Sequence, residues 1–109
     1  MDDDNSTYTI TFPGKSAAEA NRDIERLRES VLDAEPSVSA EIAKSDTTTQ
    51  DFGASLILVL GAPAVVAVAR GIAAFIARSH ATLEITSESG ELVFRGDSFD
   101  AAQIVEALK

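Results

Sequence analysis

Cysteine and tryptophan are absent from this chain, and histidine, methionine and tyrosine occur once each. Without cysteine there is no disulfide frame, no thiolate nucleophile and no cysteine-based zinc site. A single imidazole, His80, leaves few parts for acid–base catalysis. Cations are scarce too: nine Lys and Arg stand against eighteen Asp and Glu, for a net charge of −9. That balance argues against nucleic acid, whose binding depends on cations that displace counterions from phosphates. It argues equally against simple adsorption to anionic lipid headgroups. No G-x-S-x-G elbow, H-E-x-x-H pair, EF-hand loop or Walker A segment is present. The run from Gly61 to Gly71 has glycines but neither the dinucleotide spacing nor a phosphate-binding lysine.

The opening Met1-Asp2-Asp3-Asp4-Asn5 lacks the basic start and apolar run of a secretory signal, so a cytoplasmic location is expected. The three aspartates read as a solubilising tail rather than a Ca²⁺ site. With 109 residues, one domain is expected, with a flexible acidic tail over 1–6 and a single α+β domain over 7–109.

What the chain does have is a sharp internal contrast. Residues 1–51 hold twelve acids and five bases, residues 52–83 hold Arg70, Arg78 and no acid, and residues 84–109 hold six acids and two bases. A nearly uncharged apolar block therefore sits between acidic flanks.

The pattern along the chain places the elements. Tyr8, Ile10 and Phe12 alternate with threonines, a period of two that reads as a half-buried strand ended by Pro13-Gly14. Ser16 and Glu19 have capping-box spacing, and Ala20, Ile24, Leu27 and Val31 form one helical stripe to about Asp33. Arg22, Asp23, Glu25, Arg26, Arg28 and Glu29 make the opposite, charged face, which reads as solvated. After Pro36, alternation through Val38, Ala40 and Ile42 predicts a second strand. Thr48 and Asp51 offer another cap, and the apolar block follows. One helix over 49–79 would be about 45 Å long and would protrude from so small a domain. Gly61-Ala62-Pro63 divides it into two expected helices, 49–60 and 63–79. Leu83 and Ile85, then Leu92 and Phe94, with Gly90 between them, predict a hairpin. Asp97 or Ser98 caps a last helix with the stripe Ala101, Ile104, Val105 and Leu108. His80 falls at a helix C-terminus, where the helix dipole favours a cation.

The expected fold is a two-layer α/β (α+β) sandwich: a four-stranded sheet with helices on one face, in the order β-α-β-α-α-β-β-α. The other sheet face, bearing Thr7, Thr9, Thr11, Thr82, Glu84 and Thr86, stays wet.

The block over 52–77 admits three readings: core, protein interface or membrane segment. A helix apolar nearly all round needs a cover. Leu56, Leu60, Val66 and Phe75 are the candidate interface residues. A membrane span is the alternative, although Gly53, Ser55, Gly61 and Pro63 interrupt Phe52–Ala69 and Arg70 ends it. Ala67 and Gly71 form a small-xxx-small pair that permits close helix contact in water or lipid.

The segment I72-A-A-F-I-A-R78, the strand T82-L-E-I-T86, a turn with Gly90, the strand E91-L-V-F-R95 and the ending V105-E-A-L108 together resemble the effector-associated constant components of bacterial conflict systems, chiefly actinobacterial. The resemblance covers about residues 50–109. Phe75 stands where members often carry tryptophan. It implies a regulatory or adaptor part encoded beside a peptidase-like or other effector, and supplies no catalytic residues. The expectation is thus a non-enzymatic interaction module without cofactor or metal. Its partner is the effector or a second copy in a homo-oligomer, and a membrane-associated role for 52–77 is the alternative.

Overall fold

The structure is a computed structural model that describes residues 5–14, 16–44, 54–87, 90–94, 104–105 and 108. Its elements are β1 (Asn5–Thr11), α1 (Ala17–Ala34), β2 (Ser39–Lys44), β3 (Ala54–Gly61), α2 (Val65–Ser79), β4 (Leu83–Ser87) and β5 (Gly90–Phe94). Residues 104, 105 and 108 are helical. All neighbouring strands are antiparallel, in the spatial order β2-β3-β1-β4-β5.

The α+β class and the single helical layer are as expected, but the sheet has five strands, not four. The difference is the segment expected as a helix over 49–60. Residues 54–61 form β3, paired with β2 on one side and β1 on the other. Residues 49–53 and the proposed Thr48 and Asp51 cap lie outside the described residues. A short apolar run bounded by turn residues suits a buried strand as well as a buried helix. Here the run A54-S-L-I-L-V-L-G61 is eight residues long. Paired on both edges over residues 56–59, the strand satisfies its buried backbone there while sending Ala54, Leu56, Leu58 and Leu60 into the core. The described order is therefore β-α-β-β-α-β-β, with helical residues near the C-terminus.

β1 also starts earlier than expected. Asn5 and Ser6 pair with Gly61 and Leu60, so the tail assigned to 1–6 loses its last two residues to the sheet.

One sheet face carries Tyr8, Ile10, Leu56, Leu58, Leu60, Leu83 and Ile85, all buried. The register explains this, since Tyr8 lies opposite Leu58 and Ile10 lies opposite both Leu56 and Ile85. The other face carries Thr7, Thr9, Glu41, Ile57, Val59, Glu84 and Thr86, each half-buried or exposed. Against the apolar face pack α1, through Ala20, Ile24, Leu27 and Val31, and α2, through Val65, Val68, Ile72, Phe75 and Ile76. Each large side chain so covered stabilises the fold by about 1.5–3 kcal/mol relative to exposure.

Local chemistry sets the element ends. Ser16 Oγ accepts from the Glu19 amide at 3.2 Å, the first half of the expected capping box. Asn21 Oδ1 accepts from the Ala54 amide at 2.9 Å and so pins the start of β3 to α1. Pro63 lies in a single 3-10 turn, Ala62–Ala64, just ahead of α2, where a missing N–H costs nothing. His80 closes α2 in the left-handed region, at φ 56° and ψ 27°. Its amide donates to the Ile76 carbonyl at 2.7 Å. What the structure gives at this position is a backbone turn.

By length and composition, Ala62–Ser79 is apolar enough to cross a membrane. The longer segment 52–77 is not one helix, however, because it contains both β3 and the start of α2.

Candidate interaction surface

Burying one side of α2 determines what its other side shows. Exposed positions on the turn and helix are Ala62, Pro63, Val66, Arg70, Ala74, Ala77, Arg78 and Ser79. From Pro63 through Val66, Arg70 and Ala74 to Ala77 the steps are three, four, four and three residues, which makes one stripe along the helix. Val66, 50% exposed, is the one large apolar side chain left uncovered among the described residues. The stripe carries no acid, on a chain whose net charge is −9.

A cleft opens at each end of α2. The first, about 310 Å³, lies beside Val66 and is lined by Ser6, Tyr8, Leu60, Gly61, Ala62, Val65, Val66 and Leu108. The end of β3, the start of β1 and the C-terminal helical residues converge there. Tyr8 Oη donates to the Leu108 carbonyl at 2.7 Å, which fixes Leu108 as one wall. The second, about 360 Å³, lies between α1 and α2 and is lined by Arg26, Glu29, Ser30, Asp33, Phe75, Arg78 and Ser79. Its two cations and two carboxylates offset one another. The Ser30 hydroxyl is committed to the Gly71 carbonyl at 2.7 Å. His80 lines neither cleft. The arrangement is suited to holding a surface or side chain.

The four residues expected at an interface separate. Leu56 is 0% exposed and Phe75 2%, so both belong to the chain's own core. Phe75 meets Phe12 edge to face, with ring centroids 5.7 Å apart. Leu60 is 3% exposed and forms part of the floor of the apolar cleft. Val66 alone is on the surface. Leu56 and Leu60 are buried because residues 54–61 form a strand between strands rather than a helix, and Phe75 is buried because it lies on the core side of α2. Leu60 and Val66 do meet at one cleft. The spacing of Pro63, Arg70, Ala74 and Ala77 was the signal for the rest of the stripe. Nothing local pointed to Tyr8 or Leu108 as cleft walls.

No protein-family model, curated protein or solved structure matches the chain.

Proposed function

We propose that this protein is a non-enzymatic adaptor or regulatory module that works by protein–protein contact, with the outward stripe of α2 and the apolar cleft beside Val66 as its docking surface. The observation that carries the reading is the stripe itself: Pro63, Val66, Ala74 and Ala77 exposed in one row, with Arg70 among them and no acid. A surface rich in alanine lets a partner helix approach closely. A cleft of about 310 Å³ accepts one apolar side chain as an anchor, the arrangement that concentrates binding energy in few residues. Arg70 and Arg78 favour a partner with acidic groups beside that anchor. The pattern of residues 72–108 supports an effector of a bacterial conflict system as that partner, in the cytoplasm.

The test is co-expression with the products of adjacent genes, followed by titration of any complex. A complex with micromolar affinity is expected, weakened at least tenfold by Val66→Glu and by Ala74→Glu and unchanged by Arg22→Ala on the far face of α1. Absence of a complex with every neighbouring product overturns the proposal, as does a complex indifferent to Val66→Glu. Flotation of the protein with lipid vesicles, dependent on Val66, would place the same stripe on a membrane and overturn the protein-partner reading.

A further inference from the structure

β2 is an edge strand. It pairs with β3 through Ser39–Lys44 and, among the described residues, has no strand on its other side. An unpaired edge offers a row of N–H and C=O groups to any extended chain, and proteins that stay apart block such rows. Two of the usual blocks are missing here, although the strand is short and carries Glu41 and Lys44. Ser39–Lys44 contains no proline and pairs with β3 residue for residue, without a bulge.

One group does reach the strand. Arg28, on the exposed charged face of α1, donates from Nε to the Ala40 carbonyl at 2.8 Å. A charged donor on a backbone carbonyl is among the stronger hydrogen bonds. The guanidinium also brings a positive charge and bulk to Ala40, the second of the strand's six residues, beside the edge that an incoming chain would have to use. We infer that Arg28 is the guard of the β2 edge, and that the chain it excludes is β2 of a second copy.

The register selects that occupant. A two-fold axis normal to the sheet would join two β2 strands antiparallel, with all helices on the same side. Side chains alternate between faces, so only residues of the same parity can then lie opposite each other. Centring the axis on Ile42 sets Ile42 against its own copy and Glu41 against Ala43 of the second copy. No like charges are opposed, and the half-buried Ile42, already packed on the core, becomes more covered. Centring on Glu41 instead opposes two carboxylates, which is unfavourable. The strand is thus self-complementary in the register centred on Ile42, and Arg28 stands in the way.

The absence of cysteine makes the test clean. Wild type, Arg28→Ala and Arg28→Gln are compared by sedimentation over a wide concentration range, with circular dichroism to verify the fold. Each is also made with Ile42→Cys for oxidative cross-linking. Wild type is expected to show no dimer through this edge. Both Arg28 variants are expected to dimerise at least tenfold more tightly and to cross-link through position 42. If Arg28→Ala loses its fold, Arg28→Gln, which keeps much of the aliphatic stem, decides. Folded variants that sediment like wild type overturn the inference. So does a variant dimer that fails to cross-link at position 42, and so does a wild type that already cross-links there. None of these outcomes depends on the α2 stripe, so this guard and the docking proposal stand or fall separately.

Discussion

Ser30 and Gly71 hold the two helices together at their closest approach. Ser30 Oγ donates to the Gly71 carbonyl at 2.7 Å. A Cβ built on Gly71 would stand 2.9 Å from the Ser30 carbonyl oxygen, 3.1 Å from Val31 Cα and 3.2 Å from Ala34 Cβ. Glycine is needed here for space, so the Gly71 member of the small-xxx-small pair is used within the chain.

Gly71→Ala therefore tests that packing. In an open helix the change would stabilise by about 1 kcal/mol. Here the first atom in the way is backbone, so the helices must separate. A net loss of about 1–3 kcal/mol is expected from such overpacking. Gly71→Val should cost more. Ser30→Ala should cost about 0.5–1.5 kcal/mol, the worth of one neutral hydrogen bond. Urea denaturation of each variant measures these differences. A Gly71→Ala midpoint above wild type would refute the close approach.

His80 holds a left-handed conformation, at φ 56°, where residues with a Cβ are strained. Glycine at such a helix end has no Cβ penalty. His80→Gly is expected to raise stability by about 0.5–1 kcal/mol. His80→Val should lower it by a similar or larger amount, because β-branching makes the same backbone harder to reach. Thermal melts separate the two signs.

Tyr8 ties the C-terminal residues to β1. Tyr8→Phe keeps the ring in the core but leaves the Leu108 carbonyl without its donor, and the site is buried. A loss of about 1–3 kcal/mol follows from an unsatisfied buried acceptor. The loss should be local. Hydrogen exchange should quicken first at residues 104–108 and leave β3 protected, because the bond holds one segment rather than the sheet.

Short-range pattern made most of this architecture legible. The cap at Ser16, the stripe Ala20–Ile24–Leu27–Val31 and the hairpin at 83–94 depend on neighbours within a few residues. The five-stranded sheet was not legible, because β3 is apolar on both faces. Leu58 faces the helices while Ile57 and Val59 face the other way, so no alternation shows in the sequence. A central strand differs from a buried helix there only through its pairing with Tyr8 and Ile42, which are distant in sequence. The same misreading carried over to the candidate surface. Read as a helix, residues 54–61 make Leu56 and Leu60 surplus to the core. The row Pro63–Val66–Arg70–Ala74–Ala77 was readable all along from α2, whose boundaries were nearly right.

Leu56 and Val66 give the sharpest contrast between core and surface within one apolar block. Leu56 is fully buried on β3, opposite Ile10 and Ile42. Leu56→Ala removes buried methyl groups and leaves a cavity that paired strands on both sides cannot close. The expected cost is about 2–5 kcal/mol, a large part of the 5–15 kcal/mol that holds a typical domain together. Val66 stands half in solvent at the rim of a cleft, so Val66→Ala should change the unfolding free energy by no more than about 0.5 kcal/mol. Its effect should instead fall on partner affinity. A substitution that leaves folding intact yet weakens the complex separates a docking residue from a structural one. If Val66→Ala proved as destabilising as Leu56→Ala, the stripe would be core that the fold conceals, and α2 would have no free face to offer.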